Sequence, residues 1–198
     1  PRTDTTLGFS LPGGAVLLRA IGEWRRRRTG WITTNVAEVQ GFVATDGQHD
    51  WPDIQLALCT GIVDDHTRKP RWGHGYTLHV TLMRPKSRGT VRLASADPQA
   101  APLIDPAFLS ERDDLERLVR GTRLGYRILQ ADALAPHRGP MLYPFPHDDD
   151  AAVEAFVRAH TDTEYHPVGT CAMGPQGDPM AVVDAELRVR GVHGLRVV

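Results

Sequence analysis

The chain has 198 residues, with 23 Lys plus Arg against 24 Asp plus Glu and a net charge of −1. So balanced a charge gives no global field to hold a polyanion, which excludes a dedicated nucleic-acid binder. A hydrophobic fraction of 41% excludes wholesale disorder. Two cysteines exclude a disulfide scaffold and fit a reducing, cytoplasmic setting, and no apolar run reaches the ~20 residues of a spanning helix.

In chain order, the opening dozen residues are polar with Gly and Pro and read as loop. Gly14 to Arg28 reads as a helix, with Leu17, Leu18, Ile21 and Trp24 recurring at helical spacing and Gly30 as a stop. The run Arg25 to Arg28 reads either as a patch for phosphate or acidic lipid or, more simply, as cations on the negative end of the helix dipole. Strand-like runs follow at 36–44, 54–63, 75–84 and 90–94, separated by Asp, Gly and Pro clusters. In the second, Ile54, Leu56, Leu58 and Ile62 alternate with Gln55, Ala57 and Cys59. In the third, Tyr76, Leu78, Val80 and Leu82 alternate with Thr77, His79, Thr81 and Met83. No long helical crossover separates these runs, so antiparallel pairing is expected.

A long helix is expected near 111–133, with Ser110 and Asp113 at capping-box spacing and Leu115, Leu118, Val119, Thr122, Tyr126 and Leu129 along one face. Pro136 to Pro146 reads as a loop, 148–160 as a second helix with acids at its start, and 186–190 and 195–198 as short strands. The pattern predicts an α+β fold, with an antiparallel sheet of about five or six strands and helices packed on one face. A start at Pro1 and a stop inside the strand-like Leu195–Val198 predict a piece of a larger protein, truncated at both ends.

The chain has nine histidines, but none has metal-ligand spacing. His74 and His79 flank a strand at an odd separation, and His166 with Cys171 lacks a second ligand pair, so no metal is expected. His49, His66, His137, His147 and His193 sit in turn-like contexts and read as solvated. There is no Gly-x-Ser-x-Gly elbow, no P-loop and no Gly-x-Gly-x-x-Gly fingerprint. The segment from Thr163 to Gly174 stands apart. Pro167 restricts His166 to extended backbone, Gly169 permits close approach of a bulky group, and a histidine fixed on such a loop is how a general base is mounted. A loop histidine that merely packs fits the same spacing.

His166-Pro167-Val168-Gly169-Thr170-Cys171, followed by Met173-Gly174, resembles the catalytic-histidine motif of the glucose–methanol–choline (GMC) oxidoreductases, flavin enzymes that oxidise alcohols. The resemblance runs through Thr33 to Val43, Pro52 to Gln55, Arg84 to Gly89, Pro102 to Pro106, Val182 to Asp184 and Gly194 to Val198, and it points to the choline-dehydrogenase-like branch. Ala172 departs from it, standing where many relatives carry Arg. The resemblance implies that the chain is the substrate-binding part with one half of the catalytic pair. The dinucleotide-binding part and most FAD contacts then belong to a missing N-terminal half, and the second catalytic residue lies beyond Val198. It implies a small-molecule alcohol as substrate, FAD as cofactor, His166 as the base and Tyr165 and Val168 beside the flavin. Glu38, Gln55, Thr77 and His79 are candidates for the substrate cavity. On this reading the isolated chain is inactive. Two other readings are a non-catalytic module that reuses the fold, and a hydrolase pairing His166 with Cys171.

Overall fold

The computed structural model describes residues 6–47 and 50–198, so His49 lies outside the described residues. The chain divides into two compact units: the residues up to Lys86 together with Glu111–His160, and Ser87–Ser110 together with Thr161–Val198.

The first unit opens with a short strand β1 (Gly8–Phe9) and helix α1 (Leu11–Arg27). The helix starts three residues earlier than the periodicity indicates, because Ser10 caps it: its Oγ accepts from the Gly13 N–H at 2.9 Å. Its last turn ends on Arg28 in the left-handed region (φ 59°), ahead of Gly30. Residues 31–33 form a 3₁₀ turn, and strands β2 (Ala37–Val43), β3 (Ile54–Cys59), β4 (Gly73–His74) and β5 (Thr77–Leu82) follow. Ala20 is the buried residue of α1, whereas Leu17 and Leu18 are exposed, Leu18 by 73%. Periodicity marks an apolar face, but it does not say what covers it.

Strands β2, β3 and β5 form an antiparallel sheet with β3 in the centre, and a register shift between Ala37 and Val39 marks a bulge in β2. The ladder pairs Leu56 with Val80 and Leu58 with Leu78, which gathers the aliphatic side chains on one face. Onto that face packs α2 (Arg112–Leu129), and α3 (Asp150–His160) packs on α2. Gly121 and Gly125 make the close approach possible. A Cβ at Gly121 would meet Ile54 Cδ1 at 2.8 Å, and one at Gly125 would meet Val80 Cγ2 at 3.1 Å. Ile54, Leu56, Leu115, Leu118, Val153 and Val157 are the buried apolar residues of this layer.

The junction is closed by a buried charge cluster. The Arg117 guanidinium, 1% exposed, donates to Asp114 Oδ1 (2.7 Å), Asp113 Oδ2 (3.0 Å) and the Met83 carbonyl (3.0 Å). Asp114 also accepts from the Lys86 N–H at 2.9 Å. The capping box expected from Ser110 and Asp113 does not form: Glu111 is the N-cap and its side chain does not cap the helix, and Asp113 and Asp114 face the cluster instead. At the β2–β3 turn, the buried Asp53 accepts from the Thr45 N–H and hydroxyl at 2.7 and 2.6 Å. Arg120 of α2 reaches the same turn through Thr45 Oγ1 (3.1 Å) and Asp46 Oδ2 (3.0 Å).

His74, read as a near-miss metal ligand, has a structural role. Its Nδ1 lies 2.7 Å from the Thr6 carbonyl, which can only accept, so Nδ1 carries the proton. Nε2 then accepts from the Ser10 hydroxyl at 2.7 Å, which ties the helix cap to β4.

In the second unit, strands β6 (Thr90–Arg92) and β7 (Leu103–Asp105) pair antiparallel. The α+β class with antiparallel pairing is as expected. The strands are divided among three ladders, and residues 186–190 and 195–198 contribute only isolated bridges, Val183 to Val189 and Arg188 to Arg196.

Truncating Asp114 leaves a buried guanidinium short of its charge partner. Asp114→Ala is expected to destabilise the fold by about 3 kcal/mol, whereas Arg112→Ala, which removes exposed pairs to Glu116 and Glu154, costs less than about 1 kcal/mol. Urea midpoints at constant slope test both. A pH series gives a second check. Burial works to raise the carboxyls of Asp64 and Asp113. Hydrogen bonds from Arg71 and Tyr143 to the first, and from Lys86 with the Arg117 charge on the second, outweigh it and hold both below the ordinary 3.8. A carboxyl depressed by folding stabilises fully above its unfolded pKa and loses that contribution as pH falls through the folded value. The melting midpoint is therefore expected to hold from about pH 7 to 5 and to drop below about pH 4.

Candidate functional site

The residues singled out in the sequence fall into three places. The first is the turn that follows α3. Thr163 N–H bonds to Asp162 Oδ1 (2.7 Å), and Tyr165 N–H to Thr163 Oγ1 (2.9 Å), so side chains steer the backbone where helical bonding ends. Tyr165 then takes φ 62° and Gly169 φ 99°, with Pro167 between them. Two left-handed positions around a proline turn the chain sharply and present its side chains to solvent. Tyr165 is 61% exposed and Val168 94% exposed, and His166, Gly169, Thr170 and Cys171 are exposed with them. An added Cβ at Gly169 would meet nothing within 4 Å, so the glycine serves the backbone conformation and leaves the ledge bare.

The far end of this turn is anchored. Ala172 O accepts from Val182 N–H at 2.8 Å, Gly174 N–H donates to Val183 O at 3.2 Å, and Arg190 Nη2 donates to Gly174 O at 2.6 Å. Below it, Asp184 accepts from the N–H groups of Glu186 and Arg188 and from Arg188 Nε at 2.8 Å. Burial opposes ionisation of Asp184, but the Arg188 bond and the two amides outweigh it and keep its carboxyl below the ordinary range. An exposed imidazole on an anchored turn can accept or release a proton without unfolding its support. The backbone N–H groups of His166, Val168 and Gly169 have no partner among the described residues, so the ledge also offers donors.

The second place is the sheet face turned away from α2. The register sets Cys59 opposite Thr77 and Ala57 opposite His79, and Gln55 lies on the same face two residues along from Ala57. The shared face of Gln55, Thr77 and His79 therefore follows from the alternation. Their side chains differ in freedom. Thr77 Oγ1 donates to Gly61 O (3.1 Å) and accepts from Val63 N–H (2.9 Å), so it fastens the turn after β3. Gln55 Nε2 bonds to Gln40 Oε1 at 2.9 Å across the ladder, and His79 is half-buried.

The third place is an open cleft of about 430 Å³ lined by Glu23, Gly30, Trp31, Thr33, Thr34 and Glu38. Glu38 accepts from the Thr34 hydroxyl at the entrance to β2. Its partner carboxylate, Glu23, has no signal in the sequence: the turn after α1 brings it there, held by Thr29 Oγ1 at 3.0 Å. Among the described residues, no group of three or more His, Cys, Asp or Glu side chains is arranged to hold a metal ion.

Comparison with known proteins then gives a consistent picture. The profile of the family described as GMC oxidoreductase matches residues 85–198, which include the turn bearing His166. The chain is 40% identical over 199 residues to an alcohol dehydrogenase [acceptor] of Pseudomonas putida, covering 100% of this chain and 35% of that protein. It is 43% identical over 177 residues to the mitochondrial choline dehydrogenase of Mus musculus, covering 89% of this chain and 30% of that protein. Among solved structures, a pyridoxine 4-oxidase from Mesorbium loti matches with TM-score 0.71 at 32% identity, over 82% of this chain and 32% of that one. A formate oxidase matches with TM-score 0.78 over 97% of this chain and 40% of that one, and at 23% identity this likeness concerns the fold. The chain thus spans about a third of the length of the curated relatives it matches.

The two thiols provide a direct check on the turn. Cys171 is exposed and Cys59 is buried in β3. An aromatic disulfide reagent is expected to titrate one thiol per native chain rapidly and the second only in denaturant, with mass spectrometry locating the first label on Cys171.

Proposed function

The chain belongs to the GMC oxidoreductase family, and from that premise we propose that it supplies the catalytic base and part of the substrate wall of an FAD-dependent oxidoreductase acting on the CH–OH group of alcohols. The observation that carries this reading is the exposed imidazole of His166, mounted between two left-handed backbone positions on an anchored turn inside the matched family region.

The ledge fits a flat heteroaromatic group. It has a bare Gly169, free backbone donors at Val168 and Gly169, and an aromatic side chain at Tyr165. These residues would line one side of FAD, which supplies the hydride-accepting chemistry when bound. The rest is the work of the protein. A neutral alcohol is a poor hydride donor, so its hydroxyl proton must leave as the C–H bond breaks. The unprotonated ring nitrogen of His166 takes that proton, and the imidazolium returns it to solvent from an exposed position. Val168 and Tyr165 offer an aliphatic and an aromatic surface beside His166, and the N–H groups of the ledge favour negative charge as it develops. Gln55 and His79, on the sheet face of the first unit turned away from α2, are the polar side chains we assign to substrate contact. Thr77 holds the strand end rather than offering a free hydroxyl, and Glu38 stands at the cleft as an anionic contact.

The experiment places His166→Ala in a protein of the relatives' full length. A drop in kcat of at least about 100-fold with unchanged flavin content is expected. An unchanged kcat removes His166 from the mechanism. The 198-residue chain with added FAD is expected to reduce no dye with primary alcohols, and turnover by it would overturn the division of labour proposed here.

A further inference from the structure

Arg190 closes a circuit of hydrogen bonds at the foot of the His166 turn. Its Nη2 donates to Gly174 O at 2.6 Å, and its own main-chain N–H donates to Val182 O at 3.0 Å. Val182 N–H in turn donates to Ala172 O at 2.8 Å. Side chain and main chain of one residue therefore grip both segments that meet there. Gly174 is confined from its other side, since an added Cβ would meet Ala181 Cβ at 2.8 Å and Asp178 Oδ2 at 2.9 Å. Val183 is buried at the same place and is bridged to both Met173 and Val189. All of these residues belong to the second unit.

Stability alone does not account for an arginine at this point. Arg188 nearby pairs with Asp184 and Glu186. Arg190 has no carboxylate partner among the described residues, and its Nε is buried without an acceptor. A buried donor left unsatisfied opposes folding, and a simpler donor would hold the Gly174 carbonyl without it. What the guanidinium adds is a charge-assisted bond from a planar fork, whose direction is fixed. Direction matters here. Tyr165 N–H is held by Thr163, and Ala172 O by Val182 and Val183. Between them no main-chain hydrogen bond secures residues 166–171 among the described residues. The turn is held at its two feet, so a shift at either foot passes to His166.

We propose that Arg190 is a positioning residue for the alcohol oxidation. Through the Gly174 carbonyl it fixes where the His166 turn stands, and so the approach of the imidazole to the substrate hydroxyl. The proposal rests on the reading of His166 as the base. A displacement of about 1 Å at a reacting group can cost about 100-fold in rate, and a loosened foot transmits part of that to the base.

The test uses a flavin-loaded protein of the relatives' full length. Arg190→Met keeps the aliphatic stem and removes both the bond to Gly174 and the unpartnered Nε. It is expected to lower kcat per bound flavin by about 10-fold, with KM within about twofold and flavin content unchanged. Arg190→Lys, whose ammonium can still donate to Gly174 O, is expected to restore kcat to within about threefold. Amide exchange read by mass spectrometry supplies a measure apart from turnover. Peptides over residues 166–183 should exchange about 10-fold faster in Arg190→Met, but not in Arg190→Lys, while those of β3 and α2 stay unchanged. A merely structural arginine would lower flavin content and turnover together, or leave no folded protein, and either result overturns the proposal. So does unchanged kcat in Arg190→Met beside the loss in His166→Ala, or unchanged exchange over the turn. Equal losses in the Met and Lys variants would assign Nε a partner in the remainder of a longer chain and overturn it too. Unchanged kcat in His166→Ala removes the base itself, and the positioning role with it, whatever the exchange shows.

Discussion

The guanidinium of Arg117 is the point on which the first unit depends. It is withdrawn from water between α2 and the chain leaving β5, and it satisfies two carboxylates and a main-chain carbonyl at once. Dehydrating a charge is costly, so the arrangement persists only while every partner stays in place. That requirement converts apolar packing, which tolerates sliding, into one fixed docking of helix on sheet. The same helix reaches the β2–β3 turn through Arg120, and Met83 N–H bonds to Asp53 O at 2.9 Å, so one end of the ladder is referred at two points to one rigid element.

The central strands were legible because α2 covers one face of the sheet. Alternation at Ile54 to Cys59 and Thr77 to Leu82 separates the residues that line that face from those that turn away, and the register pairs them accordingly, although β5 is half-buried throughout and Cys59 is buried on the other face. The long helix was legible for the same reason, as the buried Leu115 and Leu118 show. Where the fold departs from expectation, a longer-range partner decided. Asp113 looked like half of a capping box, but it answers to Arg117 and Lys86. The start of α1 depends on Ser10, whose second partner, His74, is 64 residues away. The division of the strands into separate ladders is a matter of pairing between distant segments, which composition and periodicity do not carry.

At the candidate site, the local part was readable and the assembled part was not. Pro167 and Gly169 announce an irregular backbone, and the sharp turn at His166 follows from them. The left-handed Tyr165 carries no such signal, since a tyrosine there is unusual and is set by the bond from its N–H to Thr163. Likewise Thr77 reads as a cavity polar group until its hydroxyl is seen bridging Gly61 and Val63. A hydroxyl in a strand is ambiguous by chemistry, because the same group can greet a ligand or staple a turn.

The bond from Lys86 N–H to Asp114 has a consequence for how the chain tolerates change. It pins together two points 28 residues apart, and the residues between them leave the first unit and return to it. With both feet of that excursion clamped, its length matters little to the unit it leaves: doubling a flexible closed loop costs only about 0.6 kcal/mol. Insertions and deletions between Ser87 and Ser110 are therefore cheap for the sheet-and-helix layer, whereas a single residue added between Asp114 and Arg117 would rotate the guanidinium away from its carboxylate and cannot be absorbed locally. Length variation among relatives is free to accumulate in the first place and is confined by electrostatics in the second.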